Sequence, residues 1–278
     1  MNPNEPSRTA LMIARQRAAH QLLDHGAILH DPCAIRILGE AEDEVLRFAT
    51  AHAAASIGRL FTAARSRIAE DALSAAVERG VRQVVILGAG LDTFALRNPH
   101  AAPIRIYEVD HPATQEWKRR RLADAQLAVP PLLSFVPVDF ERDDLAETLA
   151  AAGFQPTLPA FFTWLGVVPY LTQEAIAGTL DYIASIPSSE VVFDYLEPPE
   201  AFSDELRQME MQRAEQLKKI GERSLSRFEP TGIAALLRAH GFSGIEDISF
   251  EEIRTRFGTS VHALAPGHAG LHVIHARR

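Results

Sequence analysis

The run Leu87-Gly88-Ala89-Gly90-Leu91-Asp92-Thr93 follows directly on a short apolar, β-branched stretch at residues 83–87. Glycines let a backbone turn tightly and let another group approach with no Cβ in the way. At the C-terminal end of a strand in an α/β sheet, such a turn is where nucleotides lie. The same pattern also describes a plain turn. Glu108 and Asp110 stand 18 and 20 positions after Gly90, at the end of a second apolar stretch. A carboxylate there can accept both hydroxyls of an adenosine ribose. A solvated strand end is the other reading.

The loop itself narrows the choice of nucleotide. A dinucleotide fold wants a third glycine where this chain has Thr93, and pyrophosphate beside a helix N-terminus tolerates no Asp92. An acidic loop suits a ligand without phosphates and with a positive centre. S-adenosylmethionine, with its sulfonium and ammonium groups, fits that description better than NAD.

These residues need elements to hold them. Helical spacing runs over 9–23, with Ser7 or Thr9 as cap, and over 41–80 as two helices with a break near Ser56-Ile57-Gly58. Apolar strand-like runs follow at 83–87, 104–108, 133–138, 160–165 and 190–194, separated by helical patterns at 114–127, 142–152 and 172–186. Strand–helix alternation at this spacing predicts βαβ units. Residues 198–228 interrupt it with a charged helical segment, and 230–240 read as the next sheet-covering helix. Two last strands are expected near 245–250 and 271–275. The prediction is an α/β fold: a doubly wound, mostly parallel seven-stranded sheet, Rossmann-like, with N-terminal helices and an inserted helical cap. The whole of 1–278 reads as one domain: 1–80 helical, 81–197 the cofactor-binding core, 198–228 the cap, 229–278 the rest of the sheet.

Composition sets the outer limits. A formal charge of −8 and a pI near 5.8 argue against an electrostatic nucleic-acid binder. No apolar run approaches the roughly 18 residues of a membrane span. Cys33 is the only cysteine, which excludes an internal disulfide and a cysteine metal cluster. The first residues show no basic-then-apolar leader, so a cytoplasmic protein is expected.

Several stretches together resemble the leucine carboxyl methyltransferase family of class I S-adenosylmethionine-dependent methyltransferases, in its bacterial branch. They are VRQVVILGAGLDTFALR (81–97), YEVDHPATQEWK (107–118), FVPVDFERDDL (135–145) and FFTWLGVVPYLT (161–172), supported by SRTALMIARQRAAHQLL near the start and AARSRIAEDAL around Arg65. The resemblance implies a role for each matching residue. Arg65 would pair with the cofactor's carboxylate, which suits a planar guanidinium. Gly88 and Gly90 would lie along the methionine portion. Asp110 would take the ribose, with Glu108 as its neighbour and second candidate. Asp139 would accept from the adenine amino group and Phe140 would pack on the base. Tyr170 falls where the methyl acceptor enters in similar enzymes, though a core-edge tyrosine would look the same. Two departures stand out. Leu165 replaces the acidic residue that many relatives carry after Trp164, and residues 93–97 lack the arginine and tyrosine common in the bacterial pattern.

Other clusters read more plainly. Lys118 to Arg121 suits a solvated helix face better than a recognition patch. His262, His268, His272 and His275 crowd the C-terminal region without acidic partners at metal-ligand spacing, so no metal is expected. The expected activity is O-methyl transfer to a carboxylate or hydroxyl of a small molecule or peptide, with S-adenosyl-L-methionine as cofactor. No nucleic-acid or membrane partner is expected, and the oligomeric state is left open. A nicotinamide-dependent oxidoreductase or a non-catalytic cofactor-binding protein remain as alternatives.

Overall fold

Short apolar runs become strands because both of their faces are covered. In the computed structural model, which describes residues 7–51, 54–139, 142–219, 224–257 and 270–278, four helices precede the sheet: α1 (Arg8–Leu23), α2 (Ala34–Leu38), α3 (Glu42–Thr50) and α4 (Ala54–Glu78). Then come β1 (Gln83–Leu87), α5 (Phe94–Arg97), β2 (Arg105–Asp110), α6 (Pro112–Asp124), β3 (Leu133–Pro137), α7 (Leu145–Ala151) and β4 (Phe161–Trp164). The chain continues through α8 (Gln173–Ser185), β5 (Glu190–Leu196), α9 (Asp204–Lys219), α10 (Pro230–Ala239), β6 (Gly244–Ser249), α11 (Phe250–Phe257) and β7 (Leu271–Arg277).

The seven strands form one mixed sheet in the order β3-β2-β1-β4-β5-β7-β6. β1 pairs in parallel with both β2 and β4, β2 with β3, and β4 with β5. β7 runs antiparallel to both of its neighbours, β5 and β6. Strand order therefore reverses at β1, between β2 and β4. Beyond the carboxyl ends of strands at such a point the chain leaves a crevice.

β1 and β5 are buried along their whole length. Alternate β1 residues serve separate cores, as a period of two requires. Val84 and Ile86 pack with Leu60, Ala64, Ile68 and Leu73 of α4, while Val85 and Leu87 pack with residues of α8 and α10. Fully burying a side chain such as Leu60 or Leu73 contributes about 1.5–3 kcal/mol. Among the described residues, no helix is long and apolar enough to cross a membrane.

Two expectations change and a third is narrowed. The break between the second and third long helical stretches falls after Thr50, not near Ser56–Gly58, and α4 runs straight through Gly58. A Cβ there would lie 2.5 Å from Gln16 Nε2, so this glycine lets α1 approach rather than stopping a helix. The strand expected to reach Phe250 stops at Ser249. Ser249 and Glu252 form a reciprocal capping box, with Ser249 N–H donating to Glu252 Oε2 at 2.8 Å and Glu252 N–H to Ser249 Oγ at 3.3 Å. That box starts α11. For α1, Ser7 and not Thr9 is the cap, accepting from the Ala10 N–H at 3.1 Å.

Candidate functional site

A cavity of about 570 Å³ opens at the carboxyl ends of β1, β2 and β4. Its lining includes Arg65, Gly88, Gly90, Asp110, Asp139 and Tyr170, residues from five separate parts of the chain. α1 supplies a further wall through Ala10, Ile13, Ala14 and Arg17.

The glycine loop is pinned against β2. The Gly88 and Ala89 N–H groups donate to the Val109 carbonyl at 2.8 and 3.0 Å. Both glycines have positive φ, +67° at Gly88 and +49° at Gly90. A Cβ at Gly88 would stand 2.3 Å from Val167 Cγ2, and one at Gly90 would stand 3.1 Å from the Ala10 Cβ. Protein neighbours thus demand these glycines directly: the loop after β4 comes down on the first and α1 on the second. Asp110 ties the loop's far side. Its Oδ2 accepts from the Gly90 N–H at 2.6 Å and its Oδ1 from the His111 N–H at 2.7 Å. Burial pushes its carboxyl above the usual range, a tendency these two N–H donors oppose without cancelling.

Arg65 reaches the same cavity from α4. Helical spacing buries Phe61, Ala64, Ile68 and Ala69 around it, so its head emerges where the sheet ends. Nη1 donates to Asp194 Oδ2 at 2.8 Å, and the Gly166 N–H donates to Asp194 Oδ1 at 2.6 Å. Arg65 Nε is buried and has no hydrogen-bond partner among the described residues. A buried guanidinium with donors to spare is an anion-binding group.

Residues 10–184 match the family model described as leucine carboxyl methyltransferase. The chain belongs to the leucine carboxyl methyltransferase family. This enzyme is 35% identical over 220 residues to YktD of Bacillus subtilis (strain 168), named as an S-adenosyl-L-methionine-dependent methyltransferase, with 77% of this chain and 71% of the relative covered. A Mycolicibacterium smegmatis (strain ATCC 700084 / mc(2)155) protein of the same name is 34% identical over 167 residues, 59% of this chain and 52% of its own. This chain therefore spans about half of that relative. Among solved structures, one described as a methyltransferase from Thermobifida fusca YX aligns with TM-score 0.60 at 16% identity, covering 99% of this chain and 96% of that one.

The methyltransferase does not bring every expected residue to the cavity. Glu108 is 1% exposed and lies against Lys118 Nζ at 2.5 Å, deeper along β2 than Asp110. Burial raises its carboxyl to about 7 although the ammonium of Lys118 pulls the other way. It is thus a core ion pair and not a cavity carboxylate. Asp139 lines the cavity half-buried, its N–H donating to Asp143 Oδ2 at 2.8 Å and Arg142 Nε standing 3.7 Å from its Oδ2. Phe140 lies outside the described residues. Tyr170 ends a short 3-10 turn and is half-buried on the cavity wall. Leu165, at the position where the resemblance expects an acid, lines the cavity and packs against the core that holds α4.

Asp92 also lines the cavity, but its charge is met by the protein. Oδ2 lies 3.3 Å from Arg17 Nη1, and Oδ1 accepts from the Phe94 N–H at 2.7 Å. Asp92 is therefore not an unpaired charge awaiting a positive ligand. Residue spacing alone does not single out Arg17. It is 6% exposed, and Nη2 donates to Asp31 Oδ2 and Thr93 Oγ1, both at 2.6 Å. An arginine set among Ala14, Ala18 and Ala19, the small residues of the buried face, is the available signal.

The basic run disperses. Lys118 is buried on Glu108, Arg119 lies over the Phe135 ring at 4.3 Å, Arg120 pairs with Glu116 and Arg121 donates to the Ile37 carbonyl. His262 and His268 lie outside the described residues. His272 and His275 do meet acids, but from other parts of the chain: Asp247 of β6 and Glu197 just past β5 for the first, Glu190 of β5 for the second. Among the described residues no cluster of His, Cys, Asp or Glu could hold a metal ion.

Proposed function

We propose that this methyltransferase transfers a methyl group to an oxygen of a small molecule or peptide, and to a carboxylate in preference to a hydroxyl. S-adenosylmethionine is its methyl donor. When bound, it supplies a methyl group on a positive sulfur that is already activated toward attack. The residues present fit it. Arg65 has donors left over for a carboxylate, and each Asp110 oxygen keeps a lone pair for a ribose hydroxyl after its backbone bond. Asp139 is assigned to the adenine, together with Phe140, and Gly88 and Gly90 to the methionine portion.

The rest of the work is alignment and exclusion of water. α1 and the loop after β4 wall the cavity, with Tyr170 assigned to the acceptor side. Residues 198–228 are assigned as a cap within a single domain. That assignment is supported by Leu225, which lines the cavity and whose N–H donates to the Pro169 carbonyl at 2.7 Å.

The observation that carries the acceptor class concerns His111, the only histidine among the described lining residues. Its Nδ1 accepts from the Ala113 N–H at 3.2 Å, capping α6, and so is committed to structure. A carboxylate, with pKa near about 4, is anionic at neutral pH and needs no base, whereas a phenol near about 10 must lose a proton. The test is release of S-adenosylhomocysteine with panels of carboxylates and phenols. Turnover of carboxylates, with a rate flat from about pH 6 to about 9, is expected. A rate that climbs through one ionisation near neutrality and is lost in His111→Gln would instead make this a hydroxyl methyltransferase. Calorimetric binding of NAD without S-adenosylhomocysteine would favour a nicotinamide enzyme.

A further inference from the structure

Asp194 belongs to the wholly buried strand β5 and is not among the residues lining the cavity, yet it is hydrogen-bonded to one that is. Its two oxygens join elements far apart in sequence: Oδ2 takes Arg65 Nη1 of α4 at 2.8 Å, and Oδ1 takes the Gly166 N–H after β4 at 2.6 Å. Gly166 in turn presses on the guanidinium. A Cβ there would lie 2.7 Å from Arg65 Nη2, 3.1 Å from Nη1 and 3.2 Å from Cζ, and the residue has φ +74°. One edge of the guanidinium is thus held by a carboxylate and its position is bounded by a bare backbone. Among the described residues, Arg65 Nε has no partner and Nη2 donates no hydrogen bond. These two are the donors of a side-on, two-point grip on a carboxylate.

A long arginine side chain can take many rotamers, and a two-point grip works in one plane only. We propose that Asp194, with Gly166, is the positioning residue that sets Arg65 to receive the carboxylate of the cofactor. This rests on the assignment of Arg65 to that carboxylate made above. Asp194 touches neither cofactor nor acceptor and acts through Arg65 alone.

The test is calorimetric titration of the full chain with S-adenosylhomocysteine and with its decarboxylated analogue. Arg65→Gln checks the underlying assignment. It should weaken the first ligand by about tenfold or more and leave the second within about twofold. Asp194→Asn keeps the side-chain volume and should show the same selective loss. If melting shows that this variant does not fold, Gly166→Ala decides in its place, since the new Cβ displaces the guanidinium. Should Asp194→Asn weaken both ligands alike or neither, while Arg65→Gln stays selective, Asp194 is a structural carboxylate only. Tighter binding of S-adenosylhomocysteine would show that Asp194 competes for Arg65, which also overturns the proposal. Equal loss of both ligands in Arg65→Gln removes the Arg65 assignment itself, and the proposal with it.

Discussion

Gly90 and Asp110 are joined across the mouth of the sheet: the Gly90 N–H donates to Asp110 Oδ2 at 2.6 Å. With the His111 N–H on the other oxygen at 2.7 Å, the carboxylate is held in one orientation at the end of β2. A single side chain therefore shapes the glycine loop and, in the proposed site, also takes the ribose. Asp110→Ala removes both functions. Losing hydrogen bonds to a charged acceptor costs roughly 1.5–3 kcal/mol, on the order of tenfold to hundredfold in affinity for S-adenosylhomocysteine. Asp110→Asn should fall between this variant and the wild type. Calorimetry reads the result, and unchanged affinity in folded Asp110→Ala would take this residue out of the site.

Arg17 locks α1 onto the loop after β1. Asp31, at 0% exposure, accepts from Arg17 Nη2 and from Thr93 Oγ1, with Arg97 Nε 3.6 Å away. Arg17→Met leaves that buried carboxylate with the weaker of its two cationic partners. Breaking a buried pair on one side typically costs about 3–5 kcal/mol. The remaining Arg97 places the expected loss near about 3 kcal/mol, measured by urea unfolding. A loss below about 1 kcal/mol would mean that the network contributes little.

α1 and the segment 198–228, which both reach the cavity, should behave differently. α1 buries Ala14, Arg17, Ala18 and Ala19 and is fastened by the Arg17 network. In α9, Met211 stands 64% exposed, and Arg227 holds Glu210 beside the Glu197 carbonyl. Limited proteolysis should therefore cut within 198–228 well before α1. S-adenosylhomocysteine together with a methyl acceptor should suppress the cut. Equal cleavage with and without ligands would make this segment a fixed part of the structure.

His272 lies between two carboxylates, Nδ1 3.0 Å from Asp247 Oδ1 and Nε2 2.5 Å from Glu197 Oε1. Ionised carboxylates only accept, so satisfying both requires the doubly protonated ring. Burial opposes that charge, but Asp247 and Glu197 outweigh it and raise the pKa above 6.5. The native state then holds this proton to higher pH than the unfolded chain does. Its stabilising share is complete below about pH 6.5 and is lost as pH rises through the folded value. Melting temperatures of wild type and His272→Gln should therefore converge as pH rises from about 6 to about 9. A constant gap across that range would show that the ring is not charged in the native state.

The parts of this protein legible in its residue order are those with local causes. A strand covered on both faces needs a continuous apolar run, and residues 84–87 and 191–193 show one. The Gly88–Gly90 turn and the carboxylate 20 residues later could be read because a strand, a turn and the next parallel strand fix that interval. The Ser249–Glu252 box was equally local and readable, although the apolar pattern around it pointed to a longer strand.

Long-range packing decided the rest. Order alone could not choose between Glu108 and Asp110, two positions apart on one strand. Lys118 takes the first into the core, and the strand's end leaves the second at the cavity. Nor could it say that Gly88 and Gly90 are bare for Val167 and Ala10, or that β7 enters antiparallel. The partner of Arg65 lies 129 residues away, on a strand it meets only because β5 is laid beside β4. Charges and close contacts of this kind depend on which side chains the fold brings within about 3 Å, and no spacing along the chain encodes that distance.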